Sequence, residues 1–330
     1  AKTITSENIN EVYPTYYPPR KTPKECYEQI IADLTDAEQY APDNDNSDRT
    51  KMTKTVAQAM LAKVYAEKEV QDYDKVIAYA DKVMKTTGVE LEDSYETLWG
   101  YDETAKDCMK RNTKEGILEV HWTTGSGNWE TWMYGRQLDN WDYYFTWAKW
   151  ITPSRDIIND FDKEGDEVRK NQAIVYYACT WSNYYPASNY PFMYKLRSSY
   201  NNIYWLRLAD IILMKAEAEA YKGNLAESAK LVNQIRKRAK LKELTSDKTG
   251  SKESMIEAVL HERRLELAFE GERWFDLCRN NKVEQYLNGI DNRDSGRIRQ
   301  VRQFDGNSYL LPIPQTALDQ NTNLEQNPGY

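Results

Sequence analysis

The sequence predicts a mainly α fold in which tetratricopeptide-like helical hairpins pack with a loop-rich, aromatic-rich middle segment. Three observations predict it. Apolar residues recur at helical spacing in two separate helix-turn-helix stretches. An arginine- and glutamate-rich helix follows the second stretch, and six of the ten tryptophans crowd between Trp122 and Trp150, where the periodicity is lost.

Taken in chain order, residues 1–20 are proline-punctuated and extended. Thr22, Pro23 and Glu25 then form a capping box with proline at the first helical position, opening a helix whose Ile30, Ile31, Leu34 and Ala37 make an inner stripe. Asp43 to Asp48 is a polar loop. The first hairpin runs from Val56 to Met84, with Tyr65 closing one helix and Tyr73 to Ile77 opening the next, and the zone ends near Gly88. Residues 89–204 have poor periodicity apart from a strand-like GILEV at Gly116 to Val120.

The second hairpin starts at Leu206. Its large apolar residues share a helix with Ala209, Ala216, Ala218 and Ala220, which lets a neighbouring helix approach closely; Gly223 stops it, and Asn224 serves as N-cap of a helix to about Ala239. A third helix is expected from Ser254 to about Arg279, with Glu262, Glu266 and Glu270 on one face at i, i+4 spacing. Like charges stacked in that way repel, so cations from elsewhere must compensate. Arg207, Arg236 and Arg238 are the candidates, and a docking lattice is preferred over a partner groove because the helix is otherwise apolar and buried charges persist when paired.

These pieces in this order (RLADIILMKAEAEAYKG, LVNQIRKRA, ERRLELAFEGERWFDLCR and the terminal YLLPIPQTALDQNTNLEQNPGY) resemble the SusD/RagB family of outer-membrane nutrient-binding lipoproteins. Arg20 to Pro42 and Arg49 to Glu69 resemble its first central helices, and TPSRDIINDFDKEGDEVR resembles its mid-chain segment, with Glu167, Val168 and Arg169 in place of an aspartate-proline-arginine triplet. Lys195 and Arg197 resemble positions with a structural role. The resemblance implies one domain over 1–330 that lacks its N-terminal part: first helices 21–88, a ligand segment 89–204, hairpin and charged helix 205–290, and a tail 291–330. It further implies a signal peptide and a lipidated cysteine outside this chain.

Composition narrows the function. A net charge of −8 and a pI near 5.2 argue against nucleic acid, whose binding demands a basic surface. No stretch approaches the roughly 18 apolar residues that span a bilayer. Cys26, Cys108, Cys179 and Cys278 are widely spaced and expected to be free thiols, with Cys278 a buried small hydrophobe; with only two histidines, no metal or cofactor site is expected. Asp160, Asp162, Glu164 and Gly165 mimic half a calcium loop, but Asn171 stands where a bidentate glutamate belongs, and a helix-ending turn explains Gly165 more simply. Catalysis has one candidate pair, Asp139 with Asp142, of a kind that 52 acidic residues produce by chance.

The middle segment carries the ligand chemistry. Flat rings cover the apolar face of a sugar while short polar side chains meet its hydroxyls. Trp129, Trp132, Tyr134, Trp141, Tyr143 and Tyr144 are the candidate platforms, joined by Trp181, Tyr184 and Tyr185 from a tyrosine-rich hairpin; Trp122, Trp147 and Trp150 are assigned to packing. The resulting expectation is a non-catalytic protein on the extracellular face of a Gram-negative outer membrane, lipid-anchored, that captures an oligosaccharide or polysaccharide. It would deliver that glycan to a SusC-like TonB-dependent transporter. The alternatives are a peptide-binding importer component, a tetratricopeptide protein scaffold, and last a helical glycoside hydrolase.

Overall fold

The structure, a computed structural model, describes residues 5–12, 15–122, 129–135, 151–180, 184–294 and 302–330, without the side chains of Glu11, Trp129 and Trp132. Helix α1 (Pro23–Tyr40) opens with the expected capping box, Thr22 accepting from the Glu25 amide while the Glu25 carboxylate takes the Thr22 amide at 3.0 Å. Thr53 caps α2 (Lys54–Ala66) and Asp72 caps α3 (Tyr73–Met84). A short α4 (Tyr95–Trp99), strand β1 (Gly116–Val120) and α5 (Trp129–Tyr134) follow. The middle continues with α6 (Arg155–Glu164), α7 (Glu167–Ala173), β2 (Ile174–Tyr177) and β3 (Tyr190–Met193). Strand β4 (Ile203–Arg207) leads directly into α8 (Leu208–Tyr221), α9 (Leu225–Arg238), α10 (Lys252–Glu266) and α11 (Arg273–Arg279).

The two hairpins, distant in sequence, share one core. Helix α8 lies between α3, α9 and α10, and every residue of it except Tyr221 is buried. Val56 and Ala59 of α2, Ala80 and Val83 of α3, Ile212 and Ala216 of α8, Leu231 and Ile235 of α9, and Val259 of α10 form a single apolar cluster. The alanines do what their size predicts, since a helix ringed by other helices needs small residues where backbones come close. Strand β1 pairs antiparallel with β4 against this core, and β2 pairs antiparallel with β3.

Some expectations are corrected and others hold. The inner stripe of α1 is not buried: Ile30 is 41% exposed and Ile31, Leu34 and Ala37 are partly covered, because α2 is the main helix against which α1 packs. Leu206 belongs to β4, so the second hairpin begins later than its apolar pattern implies. Asn224 holds the N-cap position, yet its side-chain amide donates to Glu219 at 2.7 Å instead of accepting from the helix. Cys278 is half-buried, whereas Cys179 is buried; none of the four cysteines is in a disulfide. Gly165 ends α6 in the left-handed region (φ 67°), while Asp160 pairs with Arg264, Asp162 with Lys170 and Glu164 with Arg236.

The long charged helix breaks in two. Phe269 (φ 67°) and Gly271 (φ 88°) turn the chain between α10 and α11, so Glu270 sits on the turn and not on the helix face of Glu262 and Glu266. The lattice survives the break. Arg207 contacts Glu115 at 2.8 Å, Glu266 at 2.7 Å and Glu270 at 2.6 Å; Arg236 reaches Glu262 at 3.0 Å; Arg238 bridges Glu115 and Glu266. At its centre Arg169, fully buried, joins Asp166, Glu262 and Glu266. Lys195 completes it with a 2.5 Å contact to Glu270, and Arg197 is buried on Tyr194 and Gln172. Burial would raise the pKa of Glu266, but the guanidiniums of Arg238, Arg207 and Arg169 hold it well below the usual carboxylate range.

Candidate functional site

A groove of about 770 Å³ opens beside this lattice, between α2, β4 and the α10–α11 turn. Period-two alternation along β4 explains its most prominent ring. Tyr204 and Leu206 face inward, so Trp205 between them faces out and is 66% exposed. Phe275, in the first turn of α11, is 57% exposed, and Tyr134 at the end of α5 joins the lining. Met60, Val64 and Leu118 supply aliphatic walls.

The cations of the groove are committed to partners. Lys63 lies 2.7 Å from both Asp210 and Glu272. Lys195 is held by Glu270 and the Glu266 carbonyl beneath the Trp99 ring, 4.8 Å from its centroid, and burial pulls its pKa down to about 8. With those charges neutralised in pairs, what the groove offers a ligand is ring faces and aliphatic surface.

The predicted platform residues separate. Tyr134 lines the groove, next to Gly135, where an added Cβ would lie 2.0 Å from the Leu196 carbonyl oxygen; only glycine lets β3 and its continuation come so near. Trp129 and Trp132 are on the same six-residue helix, not on the expected loop, and their side chains lie outside the described residues. Trp141, Tyr143, Tyr144 and Trp181 lie outside them as well, as do Asp139 and Asp142.

Tyr184 and Tyr185 sit elsewhere, past the end of β2. Tyr185 is packed, not presented: it is 8% exposed, its hydroxyl donates to the Pro153 carbonyl at 2.7 Å, and the Arg155 guanidinium lies 4.2 Å from its ring centroid. Tyr184 meets Tyr185 edge-on at 4.9 Å and shares the same arginine. Neither ring is part of the groove wall. Trp205 and Phe275 were not singled out by the sequence pattern, although alternation within IYWLR does assign Trp205 to the face opposite Tyr204 and Leu206.

The SusD family model matches residues 7–330, nearly the whole chain. The chain belongs to the SusD family. It is 28% identical to SusD-like protein P2 of Formosa agariphila over 94% of its own length, and it spans 66% of that protein. A second relative from the same organism, SusD-like protein P38, is 36% identical over 39% of this chain and 25% of the relative. Among solved structures, a SusD homolog from Bacteroides thetaiotaomicron superposes with a TM-score of 0.76 at 20% identity, covering 99% of this chain and 74% of that one. A SusD-like carbohydrate binding protein from Bacteroides vulgatus gives 0.63 at 19% identity, covering 85% and 56%. The mainly helical SusD fold is thus shared with these solved structures.

Proposed function

We propose that this SusD-family chain is a non-catalytic binding protein for an oligosaccharide, which lies across Trp205, Tyr134 and Phe275 at the groove. The observation that carries this reading is the outward Trp205, a large ring held on a rigid strand beside a groove whose cations are already paired. A rigid indole offers a sugar ring apolar area with little ordering entropy. Support comes also from the related Bacteroides vulgatus protein described as carbohydrate binding. In the cell, the protein hands its ligand to a SusC-like TonB-dependent transporter and is held to the outer membrane by a lipid outside this chain; no described helix is long and apolar enough to cross a membrane.

The aliphatic walls formed by Met60, Val64 and Leu118 favour a second reading, an extended peptide in the same groove. Calorimetric titration with a glycan panel and a peptide library, together with a reducing-end assay, separates the readings. Saturable glycan binding without new reducing ends supports the proposal. Binding confined to peptides, or glycan turnover, overturns it.

A further inference from the structure

On the far side of the α10–α11 turn, a second cavity of about 410 Å³ shares Phe269 and Gly271 with the aromatic groove. Three arginines line it, and they differ in their partners. Arg263 is tied to Asp210 at 2.7 Å and Asp276 at 2.8 Å, and Arg264 to Asp156 and Asp160. Arg273 has no carboxylate within ion-pair distance among the described residues; its one hydrogen bond goes to the Leu260 carbonyl at 3.1 Å, and its guanidinium lies 4.6 Å from the Tyr286 ring centroid.

Arg273 is half-buried, and among the described residues most of the buried cations are ion-paired, Arg49 and Arg197 being the exceptions. Burial, and next the neighbouring Arg264, push the Arg273 pKa down to about 10 against the attraction of Asp276 and Asp160, neither of which comes within ion-pair distance. The buried Nε–H of Arg263 also lacks an acceptor among the described residues. Ser154, also in the lining, accepts from the Ile157 amide and keeps its own proton to give.

We infer that this cavity receives the anionic substituent, carboxylate or sulfate ester, of a saccharide whose neutral rings occupy the groove, with Arg273 as the receiving cation. The inference rests on the saccharide reading for the sugar, but its charge recognition stands on the cavity alone. Guanidinium donors match an oxyanion in a fork geometry that ammonium does not reproduce. The α10–α11 turn places the cavity beside the groove, so an acidic sugar and a stacked neutral neighbour would engage together.

The test follows the Arg273 Nε–H resonance by ¹⁵N NMR while the protein is titrated with D-glucuronate, glucose 6-sulfate and neutral glucose. The expected result is a saturable shift with one or both anions and none with glucose; followed on the Trp274 indole in both proteins, the response weakens about ten-fold or more in Arg273→Lys, which keeps the charge but loses the fork. Circular dichroism establishes that the variant folds. No saturable shift with either anion, or an equal response to glucose, overturns the inference. An unchanged response in Arg273→Lys, read on the Trp274 indole, overturns the assignment to Arg273. Trp205→Ala keeps the two readings apart: it should weaken glycan binding and leave the anion response intact, so failure of one does not entail failure of the other.

Discussion

Arg207 places one guanidinium nitrogen 2.7 Å from Glu266 and 2.8 Å from Glu115, so the end of β4, the end of α10 and the approach to β1 meet at a single buried charge. Glu266 answers with contacts to Arg169 and Arg238, which draws α7 and α9 to the same point. Strand β4, helices α7, α9 and α10 and the approach to β1 are thereby tied together by charge, in addition to the apolar core that β1, β4, α9 and α10 share.

The first prediction concerns that junction. Arg207→Met should destabilise the protein by roughly 3–5 kcal/mol, because it leaves buried carboxylates without their partner. Urea unfolding followed by circular dichroism measures it. A loss under about 1 kcal/mol, the range of surface pairs, would mean that the lattice is solvated in solution.

Acid should act through the same carboxylates. The folded-state pKa of Glu266 lies below its unfolded value, so its contribution is present above about pH 4.3 and is lost as pH falls toward the folded value. Glu164 behaves alike, drawn from 4.5 to about 2, first by its hydrogen bond to His261 and against the pull of burial. Arg238→Gln removes a cation from Glu266 and should move the midpoint of acid unfolding to higher pH. A midpoint identical to that of the unaltered protein refutes the assignment.

The turn that splits the charged helix makes a backbone prediction. A Cβ added at Gly271 would meet nothing within 4 Å, so Gly271→Ala tests only the left-handed φ of 88°. The expected loss is about 1–2 kcal/mol in denaturant midpoint experiments. Gly165→Ala, also left-handed and unobstructed, should give a similar value. A neutral result at Gly271 would show α10 and α11 to be one continuous helix after all.

Two aromatic residues should respond in opposite ways. Trp205→Ala removes an exposed ring, so stability should change by about 0.5 kcal/mol or less, while glycan affinity falls about ten-fold, the worth of a stacked aromatic. Tyr185→Phe removes the hydrogen bond to Pro153, destabilising by about 1 kcal/mol and leaving affinity unchanged. Paired calorimetry and thermal unfolding of both variants decide the matter. Affinity loss in Tyr185→Phe with none in Trp205→Ala would place the ligand elsewhere.

Much of this was legible in the sequence where the signal is local. The Thr22 capping box, the two hairpins and the need for Arg207, Arg236 and Arg238 to neutralise a glutamate series follow from spacing of three and four residues, which a helix converts directly into contact. The same logic failed at Glu270, because periodicity continues through a break that two left-handed residues create, and at Leu206, because an apolar strand runs directly into α8. Arg169 was seen as a departure from a family pattern and not as the centre of the lattice, since two of its three carboxylate partners, Glu262 and Glu266, are more than ninety positions away.

By itself, then, the sequence determined the helical class, the SusD family and the charges that had to be paired, all properties written within a few helical turns. The tertiary structure decided which rings are surface and which are core: Trp205 faces out and Tyr185 faces in. It also decided that Arg273 lines a cavity with no carboxylate within ion-pair distance among the described residues. The physical reason is that exposure and counterion supply depend on what packs across from a residue, and the neighbours that settle both come from distant parts of the chain.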